Sequence, residues 1–172
     1  MPLLKNSGPI TVLDNWLDPV LCDQLANHIL YSMQHTYGCT SFSSSVEKIT
    51  EFYMVDFDFE DFHVKYMCHK LSSEVFNSTC KFSRVHANIQ FYGMDGSFHK
   101  DDGDFTVLYM VTPTLDGVGH FEFKDEGIKQ IDFILNRLVI FRGDDITHRG
   151  MSPNIGPPRI TVSFKVNEVV YN

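Results

Sequence analysis

The residues able to hold a metal ion or an anion gather in the second half of this 172-residue chain. His99 and Asp101 stand in Ser97-Phe98-His99-Lys100-Asp101-Asp102-Gly103, and in an extended segment alternate side chains project to the same face. His148 follows in Asp144-Asp145-Ile146-Thr147-His148-Arg149-Gly150, just past an apolar run. Two imidazoles and one carboxylate on one side of an ion form the facial donor set used for non-haem Fe(II), which leaves positions open for exogenous ligands. Arg159 comes next, after Pro157-Pro158, and a guanidinium there suits a terminal carboxylate in bidentate fashion. Asp102 and Asp104 lie close by, but only Asp101 shares a face with His99. His120 and Glu122 also share a strand face and could imitate a metal pair; with no third donor nearby in the sequence, they are expected at the rim of the core or in solvent.

Each piece alone is common in a chain with 8 His and 22 acidic residues. The order is what is specific: a Gly-rich turn, H-x-D, strands, His, then Arg with Thr two residues later.

Such residues need strands to aim them. Val85, Ala87, Ile89 and Phe91 alternate with Arg84, His86, Asn88, Gln90 and Tyr92, the period of a half-buried strand. In the closing strand Ile160, Val162, Phe164 and Val166 point one way and Arg159, Thr161, Ser163 and Lys165 the other. Two polar strand faces fit either solvent exposure or a sheet curled around a polar mouth. Phe105 to Val111, Gly119 to Lys124 and Arg137 to Phe141 read as further short strands.

The first zone, to about residue 80, carries the helical signals. Ile10 to Leu13 reads as a short strand. Asp18 before Pro19 is an N-cap with proline in the first turn, giving a helix over about Pro19 to Met33. A second helix is expected from Glu60 to Phe76, burying Phe59, Phe62, Tyr66, Leu71 and Val75. Tyr37 to Ser45 reads as a mobile loop, and Tyr37 to Glu51 as a lid over the site. The fold class expected is mostly β with flanking helices (α+β), in one domain: a helical buttress and lid to about residue 80, then a jelly-roll core from about 81 to 172.

Composition narrows the partners. Fourteen Lys and Arg against 22 Asp and Glu give a net charge of −8, which disfavours a nucleic-acid binder. Asp95, Asp101, Asp102, Asp104, Asp144 and Asp145 are expected to place part of that charge around the site. Cys22, Cys39, Cys68 and Cys80 include no C-x-x-C pair and read as reduced, packed thiols. The first residues lack the blocks of a signal peptide, and no stretch is long and apolar enough for a membrane span; a cytoplasmic protein is expected.

The second zone resembles the double-stranded β-helix of the 2-oxoglutarate- and Fe(II)-dependent oxygenases, within these the prolyl-4-hydroxylase-like branch and its short phage and bacterial forms. The likeness runs over nearly the whole chain: Thr11 to Cys22 is similar to the strand-then-helix opening, Asn88 to Asp102 and Asn136 to His148 to the two metal-bearing segments, and Pro158 to Phe164 to the closing strand. The resemblance implies His99, Asp101 and His148 as iron ligands and Arg159 as partner of the distal carboxylate of 2-oxoglutarate. It further implies Tyr109 as an assistant to that arginine, Tyr92 as a pocket-lining residue and Thr161 beside the cosubstrate. Many relatives in this branch carry lysine where Arg159 stands.

The implied activity is hydroxylation of an unactivated C–H, first of all on a prolyl residue of a peptide or protein, using O2 and 2-oxoglutarate and releasing succinate and CO2. Ascorbate enters as an auxiliary reductant. Hydroxylation of a free amino acid or small metabolite, a jelly-roll binding module without turnover, and a cupin-like metalloenzyme without 2-oxoglutarate are the alternatives.

Overall fold

The computed structural model describes residues 9–40, 50–112, 119–124 and 127–170, apart from the side chain of residue 168. Among the described residues, ten strands and two helices are arranged in three layers. The strands are β1 (Ile10–Asp14), β2 (Thr36–Cys39), β3 (Phe52–Asp56), β4 (Thr79–Gln90), β5 (Phe105–Met110), β6 (His120–Lys124), β7 (Ile128–Asp132), β8 (Arg137–Arg142), β9 (Thr147–Gly150) and β10 (Arg159–Val170). A seven-stranded antiparallel sheet in the order β1-β8-β5-β10-β4-β3-β2 faces a three-stranded sheet, β7-β6-β9. The helices cover the other side of the large sheet. This is the jelly-roll core with a helical buttress that the sequence predicts.

Helix α1 (Pro19–Asn27) begins where Asp18 accepts a hydrogen bond from Val20 N at 2.9 Å and ends in a π-helical turn, His28–Ser32. Helix α2 (Phe62–Lys70) continues into a second such turn, Leu71–Phe76. Its cap is Asp61, which accepts from His63 N at 2.8 Å and Val64 N at 3.2 Å.

The buried stripe of α2 differs from the expected one. Val64, Met67, Leu71, Val75 and Phe76 are buried, whereas Phe59, Phe62 and Tyr66 are exposed. Both stripes contain Leu71 and Val75, and the aliphatic set at i, i+3 and i+7 takes the sheet side.

The large sheet is buried on both faces. Toward the helices, Val85, Ala87, Ile89, Val107, Tyr109, Ile160, Val162 and Phe164 pack with Leu25, Ile29, Met67 and Leu71. Toward the small sheet, Leu108, Met110, Val139 and Phe141 pack with Phe121, Phe123 and Phe133. At roughly 25 cal/mol per Å² of apolar surface removed from water, these two contacts supply the main drive to fold.

The first eighty residues carry the expected strand β1, which pairs with β8, and two strands that were not expected, β2 and β3, which extend the large sheet beyond β4. Thr36–Cys39 is therefore strand rather than loop; residues 41–49 of the expected lid lie outside the described residues. Strands β7 and β9 were not expected either, since their residues lack a clean alternation. All four cysteines are free thiols, with Cys22 buried.

Candidate active site

The site is built on the inner face of the large sheet. Along β10 the polar residues Arg159, Thr161, Ser163 and Lys165 register against Gln90, Asn88, His86 and Arg84 of β4. On its other flank, Thr161, Ser163 and Lys165 meet Met110, Leu108 and Thr106 of β5. This face is covered by the small sheet, so Arg159, Thr161 and Ser163 are each only 2% exposed. The polar faces of β4 and β10 thus enclose a cavity of about 520 Å³, which His99, Asp101, His148 and Arg159 all line. Of the two explanations open in the sequence, the curled sheet is the one realised.

His99, Asp101 and His148 converge although the last lies far along the chain. Their donor atoms fall within 4.8 Å of one another. The two histidines are joined by their own backbones: His99 N donates to His148 O at 3.0 Å, and His148 N donates to His99 O at 2.9 Å. His148 is thereby a strand residue of β9, not a turn residue. His99 Nδ1 lies 2.9 Å from Ser97 O and His148 Nδ1 lies 3.3 Å from Ile146 O. A carbonyl can only accept, so each Nδ1 carries a proton, and Nε2 is the nitrogen that faces Asp101 and would bind a metal.

Asp101 faces both imidazoles, with Oδ1 3.5 Å from His99 Nε2 and Oδ2 3.4 Å from His148 Nε2. Its Oδ2 also accepts from Thr106 Oγ1 at 2.7 Å and from the Lys165 ammonium. Burial pushes the Asp101 carboxyl up, but hydrogen bonding to His99 and the Lys165 charge outweigh it and hold the group well below the usual carboxylate range. Burial lowers His148 to about 3. The result is one carboxylate and a buried neutral imidazole at neutral pH, the protonation states a divalent ion needs.

Arg159 occupies the other end of the cavity. Nη1 donates to His120 O at 3.0 Å and Met151 O at 2.9 Å, and Nη2 donates to Gln90 Oε1. The guanidinium lies over Phe121 at 4.4 Å and Phe133 at 5.5 Å. Among the described residues no carboxylate reaches it within 4 Å. Burial lowers its pKa to about 9, so the charge is kept at neutral pH. A fully buried cation held only by neutral acceptors is costly unless an anion completes its shell.

Other polar atoms in the same cavity are unsatisfied too: Arg159 Nε, Thr161 Oγ1, Ser163 Oγ and Asn88 Oδ1 are buried without hydrogen-bond partners. Three donors for a metal, a buried cation and a row of orphan hydroxyls in one cavity fit an iron ion with a dicarboxylic 2-oxo acid. Thr161 lines this cavity two residues along β10 from Arg159.

Two expected cosubstrate residues are elsewhere. Tyr109 is on the opposite face of the sheet from Arg159: it registers with Val162, donates to Asn136 Oδ1 at 2.9 Å and packs edge-on against Trp16 at 5.3 Å. Being odd-numbered on β5, it points with Val107 toward the helices. Tyr92 lies in the turn after β4, is 77% exposed and does not line the cavity, because β4 ends at Gln90.

The expected acidic rim is also smaller than foreseen. Asp95 Oδ1 accepts from Ser152 N and Oγ at 2.8 and 2.7 Å, fastening two loops, and Asp144 and Asp145 flank Arg142. His120 and Glu122 form a rim pair at 3.1 Å that Arg149 extends at 2.7 Å. The residues that sequence reasoning missed are Lys165, Thr106 and Gln90. Lys165 shares the polar face of Arg159, which was a visible signal; Thr106 and Gln90 matter only through strand register.

No protein-family model matches the chain, and no curated protein matches its sequence. Solved structures do match its fold. A prolyl-4-hydroxylase from Pseudomonas putida superposes with a TM-score of 0.71 at 11% identity, covering 94% of this chain and 94% of that one. A prolyl hydroxylase from Trichoplax adhaerens, in complex with a hypoxia-inducible-factor peptide fragment, gives 0.68 at 16% identity over 94% of this chain and 84% of that one. A non-heme alpha-ketoglutarate-dependent carbocyclase from nogalamycin biosynthesis gives 0.70 at 6% identity over 95% and 82%. The chain thus has the double-stranded β-helix fold of the 2-oxoglutarate- and Fe(II)-dependent oxygenases, prolyl hydroxylases among them.

Proposed function

We propose that this protein is a 2-oxoglutarate- and Fe(II)-dependent dioxygenase that hydroxylates an unactivated C–H bond, with a prolyl residue of a peptide or protein as its substrate. The observation that carries the reading is the pairing, within one cavity, of the His99–Asp101–His148 donor set with a buried Arg159 that has no carboxylate partner among the described residues. A metalloenzyme of this fold that used no 2-oxo acid would leave that cation without a purpose.

When iron and 2-oxoglutarate are bound, the chemistry they supply is oxidation of a C–H bond by O2, coupled to release of succinate and CO2. The chain's own residues set the stage. His99 and His148 hold the metal through Nε2 while Ser97 O and Ile146 O keep the protons on Nδ1. Asp101 supplies the negative ligand, and Thr106 fixes its second oxygen. Arg159 binds the distal carboxylate, with Thr161 as an additional donor. Leu108 and Phe121 line the cavity beside them and limit water.

The peptide reading is supported by the likeness to two prolyl hydroxylases. The test is incubation of the Fe(II) protein with 2-oxoglutarate and either proline-containing peptides or free amino acids, reading succinate and oxygenated products by mass. Oxygenated peptide is expected. Succinate with an oxygenated free amino acid alone would move the substrate class to small metabolites, and no succinate under any condition would overturn the oxygenase reading.

A further inference from the structure

Away from the cavity, at the contact between the two helices, a second set of donors converges. His28 stands in the turn that ends α1, and Asp61 and His63 at the start of α2. One donor atom from each lies within 4.8 Å of the other two. His28 Nε2 is 2.8 Å from Asp61 Oδ2, and His63 Nδ1 is 3.5 Å from Asp61 Oδ1. The two imidazoles stack at 4.9 Å with 26° between their planes.

Two details separate this cluster from an ordinary surface ion pair. First, His63 Nδ1 is buried and has no hydrogen-bond partner, so a nitrogen that must donate or accept is left facing the carboxylate unsatisfied. Second, the carboxylate is already oriented: Oδ1 caps α2 by accepting from two backbone N–H groups, which leaves Oδ2 directed at His28. Side-chain exposures of 28% for His28, 17% for His63 and 16% for Asp61 leave the cluster open to solvent on one side.

We propose that His28, Asp61 and His63 bind a second divalent transition-metal ion, of the Zn(II) class, with water completing its shell. Two imidazole nitrogens and one carboxylate oxygen select a borderline ion over Mg(II) or Ca(II), which prefer all-oxygen shells. On binding, His28 coordinates through Nε2 as the neutral tautomer with its proton on Nδ1, so the hydrogen bond between Nε2 and Asp61 Oδ2 gives way to two bonds to the ion. The site's role is structural. The cavity beside it, lined by His63, Leu21, Leu25 and Met67, is only about 10 Å³, roughly one water's worth, and has no room for an organic cosubstrate. The ion ties the end of α1 to the start of α2, behind the large sheet.

The test uses the full chain carrying His99→Ala and His148→Ala, which removes the cavity's imidazoles and leaves the second cluster intact. Co(II) titration is expected to give one bound equivalent with visible d–d absorption that Zn(II) displaces, and Zn(II) is expected to raise the melting temperature. Adding His63→Gln, or separately His28→Gln, is expected to weaken Zn(II) binding at least about 10-fold while far-UV circular dichroism stays unchanged. Asp61 is left in place because its substitution would also uncap α2. Absence of Co(II) binding in the His99→Ala/His148→Ala chain overturns the proposal, as does binding that neither glutamine substitution weakens. The unsubstituted chain binds two equivalents if both centres exist. One equivalent that survives His99→Ala/His148→Ala would refute the cavity centre while leaving this site standing.

Discussion

Replacing Gly150 by alanine should disable the anion anchor while leaving the proposed metal ligands and Arg159 themselves unsubstituted. A Cβ at position 150 would overlap Arg159 Nη2 and stand 2.9 Å from Cζ and 3.1 Å from Nη1. A long side chain usually swings away from such an intrusion. Arg159 cannot do so cheaply: it is buried between Phe121 and Phe133 and spends its guanidinium on His120 O, Met151 O and Gln90 Oε1. Hydrogen bonds from a charged donor are worth about 1.5–3 kcal/mol each. Losing one or two of them should destabilise the fold by about 3 kcal/mol, or roughly 6–12 °C in melting temperature for a chain of this size. The displaced guanidinium would also lose its charge-assisted pairing with a carboxylate, and a deficit of about 2–3 kcal/mol weakens 2-oxoglutarate binding roughly 30- to 150-fold. Anaerobic calorimetric titration of 2-oxoglutarate into the Mn(II)-loaded variant reads the second quantity and thermal melting the first. Gly127→Ala is the control, since a Cβ there meets nothing within 4 Å. An unchanged melting temperature in Gly150→Ala would refute the steric argument. Wild-type 2-oxoglutarate affinity, with the melting temperature lowered, would refute the role given to Arg159.

Other consequences can be checked separately. Tyr109→Phe removes a buried hydrogen bond to Asn136 and should lower stability by about 1 kcal/mol in urea unfolding, with KM for 2-oxoglutarate unchanged; a large KM rise would restore the tyrosine to the cosubstrate pocket. Lys165→Met strips the buried Asp101 carboxylate of its cation, a loss of about 3 kcal/mol or more without metal that should shrink once Mn(II) neutralises the site; equal losses with and without Mn(II) would contradict this. His86 gives a pH dependence. Burial, aided by Lys165 and Arg84, lowers it to about 3, below the unfolded value near 6.5. A depressed folded pKa means that its share of stability is intact above about pH 6.5 and is lost as pH falls toward 3, amounting to about 2 kcal/mol between pH 7 and pH 5. His86→Leu should flatten the pH profile of unfolding free energy by that amount over that interval, and an unchanged profile would contradict the burial argument.

Much of the site was legible in the residues. The H-x-D spacing, the later His148 and Arg159, and the alternation of β4 and β10 depend only on local parity, and the parity of a strand survives folding. The N-cap at Asp18 and the start of α1 follow from Asp-Pro chemistry in the same way. What alternation cannot supply is the identity of the layer that covers each face. Tyr109 and Met110 are equally apolar neighbours on β5, yet one packs on Trp16 beneath the helices and the other between the sheets. The stripe of α2 was misassigned for a related reason: two apolar sets shared Leu71 and Val75, and only contact with the sheet chose between them.

The candidate donors, their order and the two polar strand faces can be read from residue type and strand period, because both are local properties. Packing between distant segments is what seals those faces with a small sheet rather than leaving them in water, and what sets Gln90 opposite Arg159. It alone brings His28 beside Asp61 and His63. Each of these rests on register and layer packing between segments distant in the chain, where the hydrophobic burial of whole sheets sets the positions that individual residues must accept.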